Sequence, residues 1–155
     1  MSLASLQKKT VWNSSPEEFG LTAEQFQAEQ KWLKVFNDTG DELNWEKWKE
    51  FWENDAFITW DKLRIQGMPA LDKHFDTVTE LFQSCKTEVT GHTFDVPQGL
   101  IYQKADLIRV VNGDPEAKLI NTPSMSIIHK KLGEQKIRGM EFFGDMSPIT
   151  EAIQA

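Results

Sequence analysis

Apolar residues at helical spacing mark two helices near the start of the chain. Thr22 and Gln25 have the spacing of a capping box, and the apolar residues after them predict a helix that runs to Gly40. A second, shorter helix is predicted from about Asn44. It has aromatic residues at positions 45, 48, 51 and 52 on one face and charged residues on the other.

A hairpin and a third helix follow. Residues 56–60 and 63–66 have the composition of two short strands, and the polar pair between them predicts a tight turn. Gly67 ends this hairpin. Pro69 suits the first turn of a helix, whose apolar positions recur at helical spacing as far as Phe82.

The second half of the chain has the pattern of long strands. Short runs rich in glycine, proline, asparagine and aspartate separate four extended segments, which cover residues 86–96, 100–112, 118–132 and 136–145. Connections this short join antiparallel neighbours. The predicted fold class is therefore α+β, with one antiparallel sheet of about six strands and three N-terminal helices on one of its faces.

Length and polarity indicate the domain organisation. Residues 1–20 are polar and predict an N-terminal arm. Residues 21–155 predict a single domain, because a chain of this length needs only one core.

Charge and cysteine content argue against several classes of protein. The formal net charge is −7, so we expect no nucleic-acid partner. Cys85 is the one cysteine, which excludes an internal disulfide and fits a reducing compartment. Since no secretory signal and no apolar run of membrane-spanning length is found, we expect a cytoplasmic protein without a membrane partner.

Motifs for bound groups are missing as well. The three histidines do not have the i, i+4 spacing of a helical zinc site, and the sequence has no phosphate-binding loop, dinucleotide motif or nucleophile elbow. We therefore expect neither a metal nor a cofactor. The chemistry left to the chain is acid/base catalysis by its own side chains, or binding alone.

Four landmarks resemble the nuclear transport factor 2-like superfamily, and within it the SnoaL-like and scytalone dehydratase-like group. Together they place the resemblance over about residues 22 to 146. The landmarks are the helix-to-strand passage 51–57 (FWENDAF), the start of the third helix at 67–75, the Gly91-His92 pair, and the last-strand segment 140–145 (MEFFGD).

This resemblance implies a cone-shaped, curved sheet whose mouth is closed by helices around a cavity for a small hydrophobic molecule. Members of the superfamily include ketosteroid isomerases, scytalone dehydratases, polyketide cyclases, epoxide hydrolases and proteins without catalytic activity. Function must therefore be argued from the site. The resemblance also implies a homodimer formed through the convex side of the sheet.

The implied cavity has a floor of alternate strand residues and a roof of helix residues. Period-two alternation places one set of side chains of the fifth and sixth strands on this floor, and the aromatic residues of the first helix and the hairpin face them. The predicted substrate-binding residues are Trp32, Phe36, Trp60, Met125, Ile127, Met140 and Phe142.

His92 is the first candidate for proton transfer, because scytalone dehydratase-like members carry a histidine at this strand position and imidazole titrates near neutral pH. A turn centred on Gly99 would place Asp106 opposite His92, where it could orient the imidazole. Tyr102, on the same face as Asp106, and His74 on the third helix could polarise a ligand oxygen.

Each of these residues also has a structural interpretation. His92 could be a strand histidine that is hydrogen-bonded to its surroundings, and Asp106 could be a solvated carboxylate. His74 could be a buried core residue. A register slip of one residue would separate His92 from Asp106.

Ketosteroid isomerase chemistry is disfavoured. The general base of that group aligns with Trp60, and Asp61 lies one residue further, where a turn explains it. Trp32 and Met125 stand where those isomerases carry a tyrosine and an acid.

The sequence thus leads to two main functional hypotheses. The first is a cofactor-independent lyase or isomerase of dehydratase or cyclase type, which acts on a hydrophobic polyketide-like or terpenoid-like compound by histidine-centred acid/base catalysis. The second is a non-catalytic protein of the same fold that binds a small hydrophobic ligand or serves as a dimeric interaction module.

Overall fold

The computed structural model of the chain describes residues 15–154, so residues 1–14 of the predicted N-terminal arm lie outside the described part. A short 3-10 turn, Pro16–Phe19, precedes four α-helices within these residues. They are α1 (Ala23–Asp41), α2 (Trp45–Trp48), α3 (Met68–Leu81) and α4 (Ser147–Gln154).

The first helix begins as predicted and ends one residue later. The side chain of Thr22 accepts a hydrogen bond from the backbone N–H of Gln25, and the side chain of Gln25 accepts one from Thr22, which completes the capping box. Gly40 lies within the helix, where its lack of a side chain makes room for a neighbouring ring. A Cβ at this position would lie 2.9 Å from the ring of Trp48, so the glycine lets α2 pack closely against α1.

The six strands form one curved sheet in the order β2-β1-β6-β5-β4-β3. All neighbours are antiparallel except β1 and β6, which pair in parallel. The strands are β1 (Trp52–Trp60), β2 (Leu63–Gln66), β3 (Phe82–Asp95), β4 (Leu100–Val111), β5 (Ile120–His129) and β6 (Ile137–Gly144). The α+β architecture with helices over one face is confirmed, and the parallel pair makes the sheet mixed.

Alternate burial along β5 identifies the face that the helices cover. Ser124, Ser126 and Ile128 are buried on this inner face, whereas Met125 and Ile127 lie on the outer face. The prediction that Met125 and Ile127 line the cavity floor is therefore wrong. The pattern along β5 does not distinguish the two faces, because both alternating sets of residues contain apolar and polar side chains.

The predicted pairing of His92 with Asp106 is also wrong. His92 pairs with Gln103 on β4, and Asp106 pairs with Glu88. A bulge between Val89 and Gly91 shifts the register along β3.

The turn between β3 and β4 explains the error. The N–H of Gly99 donates to the carbonyl of Val96, so Gly99 is the last residue of the turn and not its centre. Tyr102 and Asp106 share one face of β4, as predicted, but it is the outer face.

Aromatic residues of the helices and of β1 form most of the core. Trp45 stacks on Phe75 with ring centroids 4.2 Å apart, and Trp52 is fully buried between α2 and the sheet. The indole N–H of Trp45 donates to Asp72, and that of Trp48 donates to the carbonyl of Phe36. These bonds hold the aromatic rings in fixed positions above the sheet.

Candidate functional site

A cavity of about 280 Å³ lies between the helices and the inner face of the sheet. All four helices contribute to its wall, and α4 covers the end near β4 and β5. Its floor contains the small side chains of Ser124 and Ser126, which leave space that larger residues would fill. The apolar lining consists mainly of Phe36, Trp45, Trp48, Ile58, Trp60, Phe75, Val78, Leu107, Met140, Phe142, Met146 and Ile149.

Asp41, the last residue of α1, brings a carboxyl group to this apolar wall. One of its oxygens accepts a hydrogen bond from the Thr87 backbone N–H at 2.7 Å. The other accepts from the Thr87 hydroxyl at 2.7 Å and from the Cys85 thiol at 3.7 Å. Burial raises the pKa of Asp41 above its ordinary value of 3.8, although the Thr87 hydrogen bonds act in the opposite direction.

Arg109 and Cys85 face the cavity from paired positions of β4 and β3. The Arg109 guanidinium lies 5.0 Å from the ring of Phe82, and its Nη1 lies 3.8 Å from the sulfur of Met146. Burial lowers the pKa of Arg109, and it raises the pKa of Cys85 to about 11. Cys85 is therefore a neutral thiol at physiological pH.

His74 reaches the cavity from α3, with its ring at the edge of Phe75. Burial lowers the pKa of His74, so the imidazole is neutral at pH 7. Neither ring nitrogen has a hydrogen-bond partner within residues 15–154. A neutral imidazole of this kind can donate to, or accept from, a ligand.

A chain of hydrogen bonds links the cavity to His92. Asn37 and Gln103 line the cavity and form two mutual amide hydrogen bonds of 2.8 and 3.0 Å. The Oε1 atom of Gln103 also lies 2.9 Å from Nε2 of His92, and Nδ1 of His92 lies 3.2 Å from Gln30. His92 thus lies behind Gln103, under α1, and reaches the cavity only through the Gln103 amide.

Five of the residues predicted for the site line the cavity. They lie on α1, β1, α3 and β6, and they are Phe36, Trp60, His74, Met140 and Phe142.

The remaining predicted residues lie elsewhere. Trp32 stacks on Phe36 and donates its indole N–H to the carbonyl of Gln135, so it belongs to the packing beside the β5–β6 loop. His92 is separated from the cavity by Gln103. Tyr102, Asp106, Met125 and Ile127 are all on the outer face of the sheet.

Sequence reasoning missed Asp41, Arg109 and helix α4. Alternate residues of β4 face inward, and Arg109 is two positions after the inward-facing Leu107. This alternation could have indicated a cation inside the fold. The signal for α4 was Ser147-Pro148 followed by Ile149, which resembles a helix start. For Asp41 the sequence offers no signal, because an acidic residue near a helix end is ordinary.

The described residues contain neither a candidate metal site nor a helix that could span a membrane. Within residues 15–154, no group of three or more His, Cys, Asp or Glu side chains could hold a metal ion. None of the helices in the same range is long and apolar enough to cross a membrane.

Comparison with known proteins identifies the fold. No family model matches the sequence, and no curated protein matches it significantly. A protein from Jannaschia sp. CCS1 described as a SnoaL-like polyketide cyclase superposes with a TM-score of 0.65 at 16% identity, over 81% of this chain and 90% of the other. SalBIII, described as an epoxide hydrolase/cyclase-like enzyme in pyran ring formation in the polyether salinomycin, superposes with a TM-score of 0.65 at 14% identity, over 78% and 93%.

A third structure, described as an NTF2-like protein of unknown function from Exiguobacterium sp. 255-15, gives a TM-score of 0.57 at 11% identity, over 75% of this chain and 96% of the other. At such identities the likeness is one of fold. The chain therefore has the nuclear transport factor 2-like, SnoaL-like fold that the resemblance of its sequence implied.

Proposed function

We propose that the protein binds a small, largely hydrophobic molecule in the cavity and moves a proton on it with Asp41, without a cofactor. The observation that carries this proposal is a carboxyl group with a raised pKa in an otherwise mostly apolar cavity wall. A carboxylate that is poorly solvated is a stronger base than one in water, and it can remove a proton from carbon when the ligand is held against it.

The hydrogen bonds of Asp41 leave room for this role. A carboxylate offers about four acceptor positions. Thr87 and Cys85 occupy three of them, the thiol weakly. The bonds from Thr87 fix the carboxyl group in place, and one acceptor position remains for a proton of the ligand.

His74, which lines the same cavity from α3, supports the same chemistry. Its neutral imidazole can donate a hydrogen bond to a ligand oxygen on which charge develops, or return a proton to the product. The reaction class proposed is therefore an isomerisation or an elimination, of the kind that dehydratases and cyclases perform. A polyketide-like or terpenoid-like substrate remains a prediction from the sequence.

His92 has a different part in this proposal from the one predicted. Its contact with Gln103 fixes the orientation of an amide that lines the cavity. We therefore propose His92 as a positioning residue, and Asp41 as the group that exchanges the proton.

A base-catalysed reaction without a specific substrate tests the proposal. The reagent 5-nitrobenzisoxazole loses its ring C–H proton to a base while its N–O bond breaks, and the product is a coloured cyanophenolate. We expect the protein to accelerate this reaction and the Asp41→Asn variant to lose about 10-fold or more in kcat/KM, because a positioned general base contributes about 10²- to 10⁴-fold.

Glu24→Gln is the matched control, since Glu24 is an exposed carboxylate in the first turn of the same helix, at the opposite end from Asp41. It should change kcat/KM by less than about twofold. The rate should rise with pH through a pKa above 3.8, as Asp41 loses its proton. A wild-type rate no faster than buffer, or full activity in Asp41→Asn, would exclude proton transfer at this site.

Binding without chemistry is the second candidate function. It is favoured by the two hydrogen bonds that Thr87 donates to Asp41, because they engage both carboxylate oxygens in the free protein. A protein of this kind would bind a hydrophobic ligand with unchanged affinity in Asp41→Asn and would leave the benzisoxazole intact.

A homodimer and a cytoplasmic location also remain predictions. The outer face of the sheet supports the first, because Phe143 is 52% exposed there and lies beside Met125, its β5 partner. Apolar side chains on an exposed sheet face suit contact with a second copy of the chain.

A further inference from the structure

We propose that the ligand carries a carboxylate group, which Arg109 binds inside the cavity. This inference rests on the proposed function, since it assigns a chemical class to the ligand of the same cavity. The ligand would thus be a hydrophobic carboxylic acid in its ionised form.

Among the described residues, Arg109 has no carboxylate within ion-pair distance: Asp41, in the same cavity, acts on its charge only from further away and raises its pKa. None of the ion pairs formed within residues 15–154 includes this residue. The contacts of its guanidinium are the sulfur of Met146, the Cys85 thiol and the face of the Phe82 ring. Soft sulfur atoms and a ring are poor partners for five N–H donors, which match the geometry of a carboxylate.

The setting makes an unpaired cation costly. Most of the cavity wall around Arg109 is apolar, and burial already disfavours its charged form. Cys85 cannot compensate, because its thiol is neutral at physiological pH. A ligand carboxylate would supply the missing charge and form two parallel hydrogen bonds with the guanidinium, which are among the stronger hydrogen bonds in proteins.

Cys85 connects Arg109 to Asp41, the proposed base. Cys85 contacts both groups, since its thiol donates to Asp41 and its strand position pairs with Arg109. A carboxylate bound to Arg109 would therefore place the adjoining carbons of the ligand near Asp41. The apolar part of the ligand would extend towards Trp60 and Phe142, which line the same cavity from β1 and β6.

A pair of probes with the same shape and different charge tests this inference. The probes are 2-naphthoate and 2-naphthamide, which share one ring system and differ in carrying a carboxylate or a neutral carboxamide. Isothermal titration calorimetry of the wild-type protein should give an affinity for naphthoate about 10-fold or more above that for naphthamide, as one charge-assisted pair provides.

Arg109→Met should remove this preference, because Met replaces the unbranched apolar stem of the side chain without its charge. We expect the affinity for naphthoate to fall about 10-fold and that for naphthamide to change by less than about twofold. Arg109→Gln serves as a second variant if the Met variant does not fold. Arg64→Met is the matched control, since Arg64 is exposed and packs on Phe57, and it should keep the preference.

Three outcomes would overturn the inference: equal wild-type affinity for the two probes, a preference that survives in the Arg109 variants, or no binding of either probe. The cavity itself is tested separately with the uncharged dye N-phenyl-1-naphthylamine. If the dye binds in the cavity while naphthoate shows no advantage, the carboxylate is wrong and the proposed hydrophobic site still stands. If the dye also fails to bind, the proposed function fails as well.

Discussion

His92 illustrates how one side chain links the cavity to the stability of the fold. The imidazole is held between Gln30 on α1 and Gln103 on β4, so it joins the first helix to the sheet. Burial lowers its pKa below the ordinary 6.5, and the hydrogen bond to Gln103 opposes this shift. Burial therefore favours the neutral form of His92, whose single ring N–H can donate to the Gln103 oxygen.

The first prediction is that acid weakens the fold through His92. The unfolded chain binds a proton at His92 at a higher pH than the native protein does. The free energy of unfolding therefore decreases as pH falls through 6.5 towards the lower native pKa, and it is unaffected by His92 well above 6.5. Urea unfolding between about pH 7.5 and pH 5 should show this loss, with a shallower slope in His92→Gln.

His74 contributes with the same sign, because burial also lowers its pKa, so the slope of the His92 variant should become shallower still in the double variant with His74→Gln. Asp41 has a raised pKa and acts in the opposite direction, at pH values above 3.8 and below its native pKa. An unchanged slope in His92→Gln would show that the imidazole is not buried in its neutral form.

A buried ion pair fixes α1 to the loop between β5 and β6. The ammonium of Lys130 contacts Glu29, and their side chains are 1% and 5% exposed. Glu29 also accepts a hydrogen bond from the backbone N–H of Gly133, and Lys130 lies over the ring of Trp32. These contacts hold the helix that carries Asp41 at a defined height above the sheet.

Replacing one residue of this pair should lower the free energy of unfolding more than replacing both. Lys130→Met leaves the Glu29 carboxylate buried without its partner, so the free energy of unfolding should fall by about 3–5 kcal/mol. Glu29→Met combined with Lys130→Met should recover most of the loss, because no buried charge remains. Urea denaturation measures both values.

Lys34→Met provides the comparison on the same helix, since the Lys34–Asp38 pair is exposed. It should change the free energy by less than about 1 kcal/mol. A similar small effect of Lys130→Met would mean that the Glu29–Lys130 contact does not hold α1 in place.

Local sequence patterns predicted most elements of the molecule and little of its long-range pairing. The capping box at Thr22 and the four long strands followed from spacing and turn residues, which act over a few positions. The parallel pairing of β1 with β6 joins segments about 80 residues apart, and nothing local specifies it. The bulge in β3 likewise depends on contacts across the sheet.

The site follows the same division. Trp60 and Phe142 line the cavity, on the side of their strands that the resemblance implied. Met125 was assigned to the wrong face, since one residue of register decides between floor and exterior. Asp41 and Arg109 could not be brought together from the sequence, because Cys85 lies between them only once β3 and β4 have paired.

At the scale of the whole molecule, the small floor residues make the interior hollow. Aromatic side chains from the helices are held in place by hydrogen bonds and by each other, and Ser124 and Ser126 beneath them leave space unfilled. Helix α4 then closes the end of the cavity with Ile149, together with Met146 just before the helix. Binding of a ligand between the helices and the sheet requires this space to be open.

Titration with N-phenyl-1-naphthylamine, followed by its fluorescence, tests that claim most directly when wild type is compared with Ser126→Phe and Met125→Phe. These neighbours lie on opposite faces of β5, so the first substitution fills the cavity and the second adds bulk outside it. We expect the dye to bind wild type and Met125→Phe saturably, with affinities within about twofold of each other. Ser126→Phe should bind it about 10-fold or more weakly, while a cooperative melting curve shows that this variant is folded. Equal binding of the dye by folded Ser126→Phe and by wild type would contradict the account.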